Sequence, residues 1–113
     1  MTIDGLSILT KINDMIKYAY PALAQFPKSE KFALSQEIKL SMARVLRYAI
    51  TGVKRYHKKT TLQDMDIELM VLRHYVRLSH ELGFLPLKKY EVWSGYMVEI
   101  GKMLGGWIKS TKQ

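Results

Sequence analysis

The spacing of apolar residues constrains this sequence more than any other feature. In four long segments apolar side chains recur at steps of three and four residues, the period of a helix that buries one face. The predicted core lines are Ile8, Ile12, Met15, Ile16, Ala19, Leu23 and Phe26; Leu34, Ile38, Met42, Val45, Ala49, Val53 and Tyr56; Met65, Leu69, Leu72, Val76 and Ser79; and Tyr90, Trp93, Met97, Ile100, Leu104 and Trp107. No run alternates apolar and polar residues, so the pattern predicts an all-α fold.

Residues with strong turn or capping preferences predict the limits of the first two helices. The first helix is expected from Gly5 to Gln25, and a turn at residues 26–29 follows it. Ser29 is the predicted N-cap of the second helix, because its hydroxyl group can accept a hydrogen bond from a free backbone N–H. Glu30 then falls in the first turn, on the side that the helix dipole favours.

The same reasoning predicts the later boundaries. The second helix is expected to run to about His57, and Thr61 followed by Asp64 resembles a capping box that opens the third. Gly83 is the predicted end of the third helix, and Pro86 suits the first position of the fourth. Helices joined by such short connections are expected to pack as an antiparallel, up-down-up-down four-helix bundle. Residues 1–113 are therefore predicted to form one domain.

Several function classes lack a signal in this sequence. The three histidines, His57, His74 and His80, do not follow a metal-binding spacing, and no phosphate-binding glycine loop is present. We therefore expect no catalytic residue, no metal and no cofactor, and a protein that is not an enzyme. The longest uncharged stretch is too short to cross a membrane, there is no cysteine, and the N-terminus lacks a secretory signal. These features predict a cytoplasmic protein that does not bind a membrane.

The charge of the chain is unevenly distributed. Lysine and arginine number 18 against 10 acidic residues, a formal net charge of +8. On the second helix and the turn after it, basic residues lie opposite the core line. From Lys39 onward, the helix contains no acidic residue that could pair with them. Like charges at this spacing repel, so the face is either an ordinary solvated surface or a contact for a polyanion such as RNA or DNA. The candidate nucleic-acid-binding residues are Lys39, Arg44, Arg47, Lys54, Arg55, Lys58 and Lys59.

Arg73 and Arg77 form a second basic feature, one turn apart on the third helix. Glu81 lies one turn beyond Arg77, so a surface ion pair is one explanation for that residue. Arg73 has no acidic residue three or four positions away, which leaves either a solvated side chain or a contact with a partner.

The third and fourth helices carry more apolar or small residues than one bundle interior needs. A second line on the third helix lies about 120° from its core line, and small residues line up beside a valine on the fourth. Glycine inside a helix costs about 1 kcal/mol relative to alanine, so its repeated use there indicates a close contact with another backbone. These features predict self-association. The candidate oligomer-interface residues are Ile67, Val71, Leu78, Ser94, Val98, Gly101 and Gly105.

Three segments of the chain resemble a known family. Residues 99–109, EIGKMLGGWIK, are similar to the C-terminal signature of the accessory variability determinant (Avd) proteins of diversity-generating retroelements. Residues 26–34, FPKSEKFAL, resemble that family's turn into its second helix, and residues 72–77, LRHYVR, resemble its paired-arginine segment. The resemblance covers about residues 8–110.

The resemblance implies a four-helix bundle that assembles into a homo-oligomeric ring, typically a pentamer, with basic surfaces. It implies a non-catalytic accessory protein that acts beside the retroelement's reverse transcriptase and template RNA and supports mutagenic cDNA synthesis and retrohoming. Under this resemblance, Arg73 and Arg77 match the arginines that contact the polymerase.

Two alternatives remain open at this point. A related four-helix family, encoded in intervening sequences of large-subunit ribosomal RNA genes, shares the bundle and the Phe-Pro turn. The other alternative is a structural oligomer that does not bind nucleic acid. An adjacent reverse-transcriptase gene favours the retroelement, whereas absence of RNA binding at physiological salt favours the structural oligomer.

Overall fold

The computed structural model describes residues 5–111, and these residues form a four-helix bundle. The helices are α1 (Gly5–Leu23), α2 (Leu34–Lys54), α3 (Lys59–Glu81) and α4 (Leu87–Ser110), with a short 3₁₀ helix at Lys28–Glu30. No strand occurs between residues 5 and 111. The molecule measures 44 × 24 × 19 Å. Because α1 and α3 each pack against both α2 and α4, the helices enclose one core. The predicted all-α bundle is confirmed.

The core lines predicted from the helical period are almost all buried. Every predicted residue of the third helix is buried, and so are those of the fourth except the half-buried Tyr90. On the second helix, Leu34 and Val53 are half-buried at its two ends. Tyr56 is the exception, since 89% of its surface is exposed. It lies beyond the end of α2 at Lys54, where the helical period no longer predicts direction.

Two predicted N-caps are wrong. Ser29 lies in the 3₁₀ helix, and α2 begins only at Leu34, whose backbone N–H donates to Oε1 of Glu30 at 3.3 Å. α3 begins at Lys59, two residues before Thr61. Thr61 is buried there, so it faces the core and the predicted capping box with Asp64 does not form. Burial of the first turn therefore outweighed the local capping preference at the start of α3.

Trp107 of α4 fixes one end of the bundle. Its indole is buried, and two glycines from other helices make room for it. A Cβ atom on Gly52 of α2 would lie 3.0 Å from Cη2 of Trp107 and 2.8 Å from Cδ2 of Leu62. A Cβ atom on Gly5 of α1 would lie 3.0 Å from the same Cη2 atom. Because a Cβ atom at these distances would force neighbouring side chains to move, glycine at both positions allows α1, α2 and α4 to meet closely.

The loop between α3 and α4 fixes the bundle at Gly83. This residue has φ +84°, a left-handed conformation that favours glycine after a helix. The His80 ring stacks on Tyr90 of α4 with centroids 4.8 Å apart, and its Nδ1 atom lies 2.9 Å from the carbonyl oxygen of Leu85. The predicted end of the third helix at Gly83 is therefore close to the observed one, and Pro86 stands one residue before α4 rather than in it.

An ion pair links α1 to α4 at the surface. Nζ of Lys11 lies 2.8 Å from Oε2 of Glu99. The hydrogen bond from Lys11 lowers the pKa of Glu99, and the pKa of Lys11 is raised by the same contact. Because the folded-state pKa of Glu99 is lowered, its contribution to stability is present above the unfolded pKa and is lost as the pH falls through the folded one. Both groups are accessible to water, so the contribution is small.

No helix within residues 5–111 is sufficiently long and apolar to span a membrane. In the same residues, no three histidine, cysteine or acidic side chains are grouped so as to hold a metal ion.

Candidate nucleic-acid and partner-binding surfaces

The seven bases predicted to contact nucleic acid do not form one continuous patch. Arg44 and Arg47 share a shallow groove on the outer side of α2 with Leu40 and Ile50. Lys39 lies toward α1, where its Nζ atom is 4.8 Å from the centre of the Tyr20 ring. The other four bases lie at the connection between α2 and α3. The structure therefore separates a mixed apolar and basic face on α2 from a segment at one end of the bundle that carries four basic residues and no acidic one.

Arg44 has an acidic partner that the sequence of the second helix does not reveal. Its Nη1 atom lies 3.7 Å from Oε2 of Glu68 on α3, and the same oxygen accepts a hydrogen bond of 2.7 Å from the Ser41 hydroxyl group. The expectation that this face is unpaired is therefore wrong for Arg44. A partly exposed ion pair contributes about 0–1 kcal/mol, so it orients the guanidinium group more than it stabilises the fold.

Residues 54–59, which we call the basic connection, carry a base at four of their six positions. Lys54 is the last residue of α2 and Arg55 its C-cap, where the helix dipole favours positive charge. Lys58 and Lys59 occupy the N-cap and first residue of α3, where the same dipole disfavours it. The helix dipole therefore explains the basic residues at positions 54 and 55 but not those at positions 58 and 59.

The basic connection is held against the core rather than extended from it. Nζ of Lys58 lies 5.8 Å from the centre of the buried Trp107 ring, which also packs against Gly52 in the last turn of α2. Tyr56 projects into solvent in the middle of the connection, and its ring meets the His57 ring edge-on with centroids 4.7 Å apart. Only residues 55–58 separate the two helices, so the position of Tyr56 is restricted from both sides.

A groove between α3 and α4 contains the two arginines predicted to contact a polymerase. Arg73 lines two adjoining depressions of this groove, and Arg77 lines the first of them. Within the described part of the chain Arg73 has no acidic partner within 4 Å, whereas Nε of Arg77 lies 3.3 Å from Oε2 of Glu81. Both side chains of that pair are more than half exposed, so the pair is weak and Arg77 remains accessible.

The same groove contains several residues that were predicted to form an oligomer interface. Ser94 lies in the first depression, and Val98 and Gly101 lie in the second. Sequence reasoning assigned these residues and the two arginines to different partners, but the structure brings them together. The α3–α4 groove, defined by Met70, Arg73, His74, Arg77, Tyr90, Ser94, Val98 and Gly101, is therefore one surface.

The remaining predicted interface residues lie outside the α3–α4 groove. Ile67, Val71 and Leu78 are exposed on the outer side of α3. Gly105 is exposed on α4, and a Cβ atom built there would meet nothing within 4 Å. No packing in residues 5–111 therefore requires glycine at this position.

A comparison of the sequence with models of known protein families identifies the family of this chain. The sequence model of the bAvd-like family matches residues 6–111, a span that reaches into all four helices. The chain belongs to the bAvd-like family. Comparison with curated proteins finds no match.

In this bAvd-like protein, the C-terminal signature is mainly structural. Ile100, Leu104 and Trp107 are buried in the core, and Glu99 pairs with Lys11. Gly101 approaches α3, since a Cβ atom there would lie 3.7 Å from Cδ2 of Leu69. The segment therefore contributes mainly to the packing of α4, and Gly105 is a member of it without a packing role in the described chain.

Sequence reasoning missed two features of the bAvd-like chain's surfaces. The helical period predicts Tyr56 in the core, but the residue is exposed because α2 ends two residues earlier. Tyr90 packs partly against the core, as its place in the core line predicts, and it also lines the α3–α4 groove beside Arg73, which the spacing does not indicate. The six-residue basic run around Tyr56 was the available signal for the first, because a core residue is seldom surrounded by bases.

Proposed function

We propose that this bAvd-like protein is a non-catalytic accessory subunit of a diversity-generating retroelement. It binds the element's reverse transcriptase and its template RNA or cDNA in the cytoplasm, and thereby supports mutagenic cDNA synthesis and retrohoming. The family match over residues 6–111 carries this proposal and favours it over the ribosomal intervening-sequence alternative. The exposed arginines of α2 and the basic connection support the proposal, since both present positively charged side chains that can contact an anionic partner.

Nucleic acid binds this protein through phosphate contacts. The bases of the α2 face and the basic connection lie on surfaces accessible to a strand, and such contacts carry little sequence information. Specificity then comes from the polymerase and its RNA. If the protein is instead a structural oligomer that does not bind nucleic acid, no binding of RNA or DNA is expected at physiological salt.

The protein acts as a homo-oligomeric ring of up-down-up-down bundles, with five subunits as the expected number. Ile67, Val71 and Leu78 offer an apolar surface on α3, and Gly105 permits close approach to α4. Assembly repeats each subunit's basic surface, which raises the effective concentration of binding sites along one nucleic acid.

Leucine substitutions at two exposed glycines test the assembly. A Cβ atom added at Gly95 or at Gly105 would meet nothing within 4 Å, so leucine at either position is expected to stabilise the single chain by about 0.5–1 kcal/mol through helix propensity. Gly105→Leu is expected to lower the oligomeric mass in light scattering, whereas Gly95→Leu, the matched control, leaves it unchanged. Equal masses for both variants would contradict a subunit contact at Gly105.

A double substitution tests the polymerase contact. Arg73→Ala with Arg77→Ala is expected to weaken binding to the reverse transcriptase of the same retroelement by about 100-fold, because a hydrogen bond to a charged group contributes about 1.5–3 kcal/mol. The control is Lys88→Ala with Lys89→Ala, which removes the same charge outside the α3–α4 groove. Binding is measured by titration of the labelled polymerase, with light scattering of each variant.

The pattern of results identifies the occupant of the groove. Weaker polymerase binding with an unchanged mass supports a polymerase contact. A lower oligomeric mass shows instead that Arg73 and Arg77, like their neighbours Ser94 and Val98, contact another subunit. Unchanged polymerase binding would remove these arginines from the proposal.

A further inference from the structure

We propose that Tyr56 stacks on an unpaired nucleobase of single-stranded nucleic acid, while the lysine and arginine residues of the basic connection hold the phosphates of the strand. This inference rests on the proposed nucleic-acid binding and adds to it the site and the strand class. The observation that carries it is an aromatic ring 89% exposed to solvent within a segment that contains four bases and no acid.

The fold itself gives no reason for an aromatic residue at this position. Tyr56 follows the C-cap of α2, so it contributes to neither helix, and its ring is absent from the core. An aromatic side chain stabilises a fold by burying its large apolar surface, which Tyr56 does not do. The ring meets that of His57, its neighbour in the sequence.

Tyr56 differs from another highly exposed aromatic residue, Phe32. Phe32 is 79% exposed and has Nζ of Lys31 at 5.4 Å from its ring centre. Glu30 lies two residues away from it, whereas Arg55, His57 and Lys58 surround Tyr56 in the sequence. A strand that stacks on Tyr56 therefore places its phosphates among cations, and a strand on Phe32 meets a carboxylate.

The backbone that carries Tyr56 is suited to binding because it is restricted before the ligand arrives. Four residues join α2 to α3, and the helix ends on both sides are anchored by the packing of Gly52 against Leu62 and Trp107. A residue that is already positioned loses less conformational entropy on binding. Lys58 and Lys59 also lie at the positive end of the α3 dipole, which adds to the attraction for phosphate.

Exposed aromatic residues among cations favour single strands over duplexes. In a duplex each base face is covered by its neighbours in the stack, whereas in a single strand a base is free to stack on a side chain. Stacking of this kind tolerates any base, so we expect little sequence preference. RNA and single-stranded DNA present the same base faces and phosphates, and both are expected to bind.

The test compares single strands of equal charge that differ in their nucleobases, with a duplex as a separate ligand. The full-length protein is titrated with a labelled oligothymidylate, an abasic strand of the same length and a duplex, in parallel with oligouridylate. The wild-type protein is expected to prefer oligothymidylate to the abasic strand by about 5- to 150-fold, the usual range for one stacked base. Tyr56→Leu abolishes this preference, Tyr56→Phe retains it, and the matched control Phe32→Leu retains it.

A second readout is independent of affinity. Tyr56→Trp places an exposed indole at the site, while the native Trp93 and Trp107 are buried. Oligothymidylate is expected to quench the exposed indole emission, and the abasic strand is not. Equal quenching by both strands would contradict stacking at this position.

The outcomes separate this inference from the proposed function. If Tyr56→Leu binds every strand as the wild type does, stacking is wrong while nucleic-acid binding stands. If the wild-type protein binds none of the strands, both are wrong. Binding to anionic lipid vesicles that weakens in Tyr56→Leu, with no preference between the oligothymidylate and the abasic strand, would show that Tyr56 inserts at a membrane surface instead.

Discussion

Replacement of Trp107 by alanine is expected to lower the free energy of unfolding by about 3–5 kcal/mol, the range for truncation of a large buried aromatic residue. Trp107 is only 4% exposed, and its ring fills the space left by Gly5 and Gly52. The substitution removes a ring that three helices share, so one helix cannot close the cavity by moving alone. Urea denaturation of the two proteins measures the difference.

Tyr56→Ala is the matched control for removal of an aromatic ring. Tyr56 is as close to the end of α2 as Gly52 is, yet it is exposed, so its removal is expected to change stability by less than about 0.5 kcal/mol. If Trp107→Ala cost less than about 1 kcal/mol, well below the range for a buried tryptophan, the close packing of α1, α2 and α4 around this ring would be wrong.

Reversal of charge in the basic connection is expected to weaken RNA binding more than about 100-fold at low salt. The variant carries Lys54→Glu, Arg55→Glu, Lys58→Glu and Lys59→Glu, and it retains no lysine or arginine in the segment. For a single strand, the slope of log affinity against log salt concentration becomes shallower by about 0.7 for each phosphate that is no longer bound, or about 3 in all. Titration of oligouridylate across a salt series measures both quantities.

The charge-reversed protein is expected to remain folded. Glutamate at positions 58 and 59 suits the N-terminus of α3, where each negative charge contributes about 0.3–1 kcal/mol, and this offsets the opposite effect at the C-terminus of α2. The control carries the same change in net charge at the other basic positions Lys28, Lys31, Lys88 and Lys89. An equal decrease of affinity in both variants would mean that net charge, rather than the basic connection, governs binding.

The helices were predictable because burial and helical period agree along most of the chain. Met65, Leu69 and Leu72 are buried as their spacing requires, and the same holds for most of the long lines of α1 and α4. The helical period predicts which way a side chain points only within a helix. It therefore gave a wrong prediction for Tyr56, which lies just beyond the end of α2 at Lys54. A spacing argument needs the helix end first, and the sequence marks that end only weakly.

Helix starts and surface contacts were less predictable because they depend on other parts of the chain. Thr61 has a good capping composition, but the core draws it inward. Arg44 forms an ion pair with Glu68 of α3, and no pattern within α2 indicates a partner on another helix. The shared position of Arg73 and Ser94 likewise arises from the packing of α3 on α4, which sequence spacing on either helix does not specify.

The candidate surfaces also differ in how well their chemistry was visible in the sequence. The basic residues were found from composition and spacing, whereas the division into an α2 face and a basic connection required the fold. The glycine-containing block at residues 99–109 drew attention to α4, yet Ile100, Leu104 and Trp107 pack inside the bundle. The surfaces proposed to bind partners lie mainly on α2, the basic connection and the α3–α4 groove.

The proposed function is that of an accessory subunit of a reverse transcriptase that acts on its own template RNA. The proposal is tested by cDNA synthesis in a purified reaction that contains the template RNA and the reverse transcriptase of the same retroelement, with and without the protein. We expect full-length mutagenic cDNA only when the protein is added, and we expect neither the charge-reversed variant nor the Arg73→Ala, Arg77→Ala variant to restore it. Equal cDNA yield and an equal frequency of misincorporation without the protein would contradict the proposed function.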